Sequence, residues 1–149
     1  MGTRCAIVVK VGRWYRGVYS HMDGYPSHAG KILKENYNDF NKARDLVSNG
    51  YIYSLREKLG RQFDPNDTWE KMTRDMSNRS TILYIRDGNV TDPTYRTKTG
   101  SLKNVLDKIS DFDYSYVYEN GQWVVDGELT IDEAIAKETE DCKSYLTCD

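Results

Sequence analysis

The stretch RCAIVVKVGRWYRGVYS (residues 4–20) decides the fold. Its first part is a short apolar run rich in β-branched residues, and its second part alternates. Two such runs around a glycine predict a β-hairpin, with strands over 4–10 and 13–20 and a turn at Val11 and Gly12. A two-residue loop there makes positions that sum to 23 face each other, so Arg4 meets Tyr19, Ala6 meets Gly17 and Val8 meets Tyr15. Residues two apart on a strand share a face, which puts His21 beside Tyr19 and Arg4. Ala6 and Gly17 leave a hollow of small residues next to them, and Cys5 falls on the other face.

The strand runs on into HMDGYPSH (residues 21–28), which holds both histidines of the chain. Asp23 and Gly24 end the strand, and Pro26 suits the first position of a helix over PSHAGKILKENY. Asp39 caps a second helix, FNKARDLVSNG, which Asn49 and Gly50 close. Ser54 is read as the start of a short third helix, SLREKLG. Residues 60–80 form a variable loop and helix insertion in which Asp67 and Glu70 make a capping box. A strand is expected over 81–86, and a further extended piece around Tyr95. Ser101 caps LKNVLDKIS. Asn120 and Gly121 join strands over 114–119 and 122–126 as a second hairpin. Thr130 opens the last helix, with acids in its first turn. The expected class is α+β, a mostly antiparallel sheet built from the N-terminal and C-terminal hairpins and packed by short helices.

The 149 residues suit a single domain over 1–149 with an acidic helix and tail at 128–149. Apolar residues make up only 38%, while twelve tyrosines help lift aromatics to 12%, so the core is finished with half-buried phenols. The net charge of −2 points to no partner, but its distribution is uneven. Residues 1–60 carry ten Lys/Arg against five Asp/Glu, and residues 128–149 two against seven. Arginines beyond residue 60 are scattered, which argues against nucleic acid as a partner. Cys5, Cys142 and Cys148 are an odd set without zinc-ligand spacing, as expected for reduced thiols in a cytoplasmic protein. No stretch has the length and apolarity of a membrane span or signal peptide.

Three readings compete for residues 21–28. In the structural one, Asp23 and Gly24 turn the chain, Tyr25 packs, and His21 bonds locally. In the second, His21, Asp23 and His28 hold a metal, although their spacing is poor and no fourth ligand is in view. In the third, the helix start binds an anionic small molecule. Arg4 and the more distant Lys31 then supply charge, Tyr19 and Tyr25 stack, and His21 and Asp23 hydrogen-bond. Gly30, inside a helix, marks a close approach by ligand or by backbone. No phosphate loop, dinucleotide fingerprint, nucleophile elbow or zinc-protease motif is present. His21 and Asp23 offer a base and its orienter, but a nucleophile to complete an enzyme is not visible.

The pair GTRCAI and HMDGYPSHAGKILKENY resembles a family of small phage- and prophage-encoded proteins whose pattern runs GTRxxI, then HWDGYPxxxGxxLxxxY. The likeness extends more loosely through Val47, Gly50, Ser54 and Leu55 and returns at Tyr116, Val117, Tyr118, Gly121 and Trp123. Arg4, His21, Asp23, Gly24, Tyr25 and Gly30 match the pattern; Met22 replaces its tryptophan, and His28 falls where the pattern is open. The resemblance implies an accessory phage protein acting in the cytoplasm of an infected bacterium, of the kind that counters host defence. Joined to the hairpin face, it leads to the expectation of a protein that sequesters a nucleotide-derived small molecule. Arg4, Tyr19, His21, Asp23, Gly24, Tyr25, Gly30 and Lys31 are its candidate ligand residues, with no cofactor or metal. The alternatives are an inhibitor that blocks a host or defence enzyme complex, and a small hydrolase or transferase using His21 and Asp23. An edge-forming hairpin is compatible with a homo-oligomer.

Overall fold

The computed structural model describes residues 3–48, 50–59, 82–83 and 97–147, with side chains over 3–48, 50–59 and 97–139. The first hairpin forms from β1 (Cys5–Val11) and β2 (Trp14–Met22). Its turn falls at Gly12 and Arg13 and not at Val11 and Gly12, so paired positions sum to 25: Cys5 meets Ser20, Ala6 meets Tyr19, and Val8 meets Gly17. The reason is local. Gly12 takes φ +63°, the left-handed value that a tight hairpin turn needs at its first central position. The slip is of two residues, so every side chain keeps the face that the sequence assigns it.

β1 also pairs in parallel with β6 (Tyr114–Glu119), placing Ile7 beside Tyr116 and Val8 beside Val117. The second hairpin joins β6 to β7 (Gln122–Val125) through Asn120 and Gly121, both at positive φ as a type I′ turn requires. Beyond β2 lie β3 (Ile52–Ser54) and β4 (Ile82–Leu83), and beyond β7 the short β8 (Leu129–Thr130). The sheet order is β4-β3-β2-β1-β6-β7-β8, with β5 (Lys98–Gly100) also pairing β2. The class is α+β as expected. Antiparallel pairs dominate, but β1 with β6 and β2 with β3 run parallel.

Helices cover both sides. A five-residue π-helical turn (Pro26–Gly30) leads into α1 (Lys31–Asn36), and α2 (Phe40–Val47) is capped by the Asp39 carboxylate, which accepts from the Lys42 N–H at 2.8 Å. The helix expected from Pro26 thus opens with a wider turn before it becomes α-helical. α4 (Ile131–Thr147) starts in a reciprocal box: the Glu133 N–H donates to Thr130 Oγ1, and the Thr130 N–H to Glu133 Oε1, both at 3.1 Å. These elements bury Cys5, Ile7, Val9, Val18, Leu33, Leu46 and Tyr116 in the larger core. On the opposite face α3 (Leu102–Ile109), capped by Ser101, seals Ala6, Val8 and Val117 beneath Val105 and Ile109.

Two expectations change. The third helix does not form: Ser54 ends strand β3, which pairs alongside Ser20 and Met22, because the edge of β2 needs a partner and Leu55 is buried in the core. The hollow at Ala6 and Gly17 is filled. A β-carbon on Gly17 would lie 2.6 Å from Val105 Cγ1 and 2.9 Å from Val8 Cγ2. The capping box at Asp67 and Glu70, most of the strand over 81–86 and the extended piece at Tyr95 fall outside the described residues.

Gly17→Val overpacks the seam between sheet and α3. A loss of about 1–3 kcal/mol is expected, read as a lower urea midpoint with an unchanged slope; an unaltered midpoint means that α3 does not press on β2 as described.

Candidate functional site

Alternation along β2 carries Tyr19 and His21 to the face that α3 covers, past the last turn of that helix. The parallel neighbour β3 brings Tyr51 and Tyr53 to the same place. Tyr19 and Tyr51 have ring centroids 5.0 Å apart, His21 and Tyr53 5.9 Å, and Tyr19 and His21 6.1 Å. The Tyr19 hydroxyl stands 3.3 Å from His21 Nδ1. All four rings are half-buried. They form one aromatic patch at this end of β2.

Arg4 joins them. Its backbone is clamped to the start of β6: the Arg4 N–H donates to Asp113 Oδ2 at 2.9 Å, and its carbonyl accepts from the Asp113 N–H at 2.8 Å. The exposed guanidinium lies near enough for its charge to bear on the Tyr19 phenol. Burial raises the Tyr19 phenol above its usual value against the opposing pull of that cation. Burial, reinforced by Arg4, lowers the His21 imidazole, so this ring is neutral at pH 7. The patch therefore combines three phenols, one neutral imidazole and the Arg4 cation, with the Asp111 carboxylate also bearing on Tyr19.

The rest of the stretch goes elsewhere. Asp23 adopts φ +54° and turns the chain toward the other face. Gly24 threads against the first strand: its N–H donates to the Thr3 carbonyl at 2.7 Å, and a β-carbon there would lie 2.8 Å from the Arg4 carbonyl carbon. The buried Tyr116 hydroxyl donates to the Gly24 carbonyl at 2.6 Å. Gly30 sits against Tyr116 and Ile131, so its close approach is to the core and leaves no ligand space. Asp23 and Tyr25 gather around His28: the Tyr25 ring is 5.8 Å from it, and the charges of Asp23, Arg56 and Glu57 bear on it. Burial lowers His28 as well, with Asp23 opposing. Lys31 is exposed at the start of α1.

The N–H groups of the Pro26 turn do not face the patch. The Ser27 N–H donates to Glu138 Oε2 and its hydroxyl to Glu138 Oε1, both at 2.9 Å, so a carboxylate of the chain itself occupies that anion position. Thus the structure gathers Arg4, Tyr19 and His21 at the patch, sets Gly24 against the Arg4 backbone, and directs Asp23 and Tyr25 to His28 and Gly30 to the core. A base and orienter made of His21 and Asp23 is not assembled. Cys5 is no nucleophile for His21 either: it faces the larger core, where burial pushes its thiol up to about 12. Among the described residues no three His, Cys, Asp or Glu side chains are placed to hold a metal. A cleft of about 380 Å³ opens elsewhere, beside Tyr37, Lys42, Glu57 and Lys58, and contains none of the residues singled out in the sequence.

Tyr51 and Tyr53 escaped the sequence reading. Their signal was present as the alternating YIYS after Gly50, a strand pattern masked by taking Ser54 for a helix cap. Fold and site define an α+β protein, helices on both faces of a mixed sheet, with an aromatic and cationic patch at one end of β2. Comparison with known protein families, curated proteins and solved structures returns no match to the chain.

Both imidazoles should titrate below the ordinary value of 6.5. A histidine whose neutral form the fold favours binds its proton later when folded than when unfolded, so stability is full above that value and falls as pH drops through the folded-state midpoints. Side-chain NMR titration should place both midpoints below 6.5. A midpoint at or above it contradicts the burial described.

Proposed function

We propose that the protein binds and sequesters a nucleotide-derived, anionic small molecule at the patch of Arg4, Tyr19, His21, Tyr51 and Tyr53. The observation that carries this reading is the convergence of four rings with one exposed guanidinium. Phenol and imidazole faces stack on bases and ribose, a neutral imidazole exchanges hydrogen bonds with either, and guanidinium pairs phosphate. No group poised for bond cleavage is part of this reading, so capture is the role. The resemblance to phage-encoded proteins supports a setting in which capture matters: an anti-defence protein that withdraws a signalling nucleotide inside an infected bacterium.

A second reading has its own observation. Trp14 is 59% exposed at the hairpin tip between exposed Arg13 and Arg16, a surface of the type that anchors a protein partner. An inhibitor of a host enzyme would use that tip and not the aromatic patch.

Thermal unfolding with a panel of nucleotides and cyclic dinucleotides separates the two. A ligand at a hundred times its Kd adds about 2.7 kcal/mol, which raises Tm by on the order of 5–10 °C in a domain of this size. Arg4→Ala is expected to remove that shift. No shift across the panel, together with a co-purifying host protein lost in Trp14→Ala, overturns sequestration in favour of inhibition.

A further inference from the structure

The aromatic patch has internal order. Because Ser20 pairs with Ile52 and Met22 with Ser54, Tyr19 lies beside Tyr51 and His21 beside Tyr53. The first pair is separated by 5.0 Å with planes at 40°, and the second by 5.9 Å with planes at 23°. From pair to pair the spacing is longer, 6.1 Å from Tyr19 to His21 and 6.3 Å from His21 to Tyr51. This matches the advance of two residues along a strand, about 6.6 Å. The patch is thus two ring pairs in succession. Arg4 serves both: it immediately precedes β1, whose ladder with β2 ends at Cys5 and Ser20, and its charge bears on the Tyr19 phenol and on His21.

We propose that the patch takes two linked bases, a dinucleotide unit, with one base on each ring pair and the connecting phosphate at Arg4. This rests on the nucleotide reading above and narrows it. Bases stacked as in a duplex are about 3.4 Å apart, half the spacing of the ring pairs. The unit is therefore held splayed open, as bases are when they stack singly on aromatic side chains of a sheet face. A duplex is excluded. A free dinucleotide and a single strand present the same unit, and chain length tells them apart.

Calorimetric titration with adenosine monophosphate, adenylyl-adenosine and a short oligoadenylate tests this. The second stacked base should tighten binding of adenylyl-adenosine over the monophosphate by at least tenfold. Tyr53→Ala should cut adenylyl-adenosine binding by about tenfold, Tyr53→Phe should keep it, and Trp14→Ala, on the opposite face of β2, should leave it unchanged. If Tyr53→Ala fails to fold, the comparison of ligands on the native protein decides alone. Equal affinity for adenylyl-adenosine and the oligomer assigns a free dinucleotide, and a tighter oligomer assigns a single strand; either supports the two-base site. Monophosphate bound as tightly as adenylyl-adenosine overturns it while sparing the nucleotide reading. Failure of all three to bind overturns the two-base site, and the nucleotide and cyclic dinucleotide panel above decides the broader reading.

Discussion

The structure depends on the burial of β1 from both sides. Cys5, Ala6, Ile7, Val8 and Val9 have no exposed surface at all. A strand with an unbroken apolar run has no wet face, so it must lie inside the sheet and under helices on both sides. Its neighbours meet the first demand, β2 antiparallel and β6 parallel. The second needs two layers: the Pro26 turn, α1, α2 and α4 over the odd positions, and α3 over the even ones. α3 has only eight residues, roughly 12 Å at 1.5 Å per residue, too short to cover the whole sheet. The half-buried aromatic patch lies at the end of β2 with β3.

The stretch at 21–28 is where one surface gives way to the other. His21 is the last residue to share the patch; from Asp23 onward the chain serves the larger core. The Tyr116 hydroxyl, buried and bonded to the Gly24 carbonyl, satisfies an acceptor that would otherwise be costly to bury. Glu138 pairs the exposed Ser27 N–H. Most of this stretch is thus explained by packing and hydrogen bonding within the chain. Of this stretch, His21 adds its ring to the patch beside Tyr19, Tyr51 and Tyr53.

Both hairpins were legible, because each depends on a local alternation and a turn whose glycine or asparagine has a stated conformational job. So were three helix caps, at Asp39, Ser101 and Thr130. The shared face of Arg4, Tyr19 and His21 survived a misplaced turn because side-chain direction in a strand has a period of two. Long-range pairing was not legible. Nothing near Ile52 says that β3 will lie parallel to β2, and nothing near Ser27 says that Glu138, 111 residues away, will fill its anion position. A helix start in isolation invites a phosphate; a folded chain can supply its own carboxylate.

The same lesson reaches the charge asymmetry. A basic N-terminal part and an acidic C-terminal part suggest, on paper, a surface waiting for an anion. In the fold the two are packed together: Lys34 contacts both carboxylate oxygens of Asp132 at 2.6 and 2.7 Å, and Ser27 engages Glu138 one turn and a half further along α4. The exposed ion pair contributes little to stability, yet it uses charge that would otherwise attract a ligand to α1. Arg4 escapes this pairing. Its backbone is held by β6 while its side chain is left among rings. On the reading proposed above, a cation beside aromatic rings favours a ligand that brings both a negative charge and a planar surface. The position of Arg4 bears on that choice more than the net charge of the chain does.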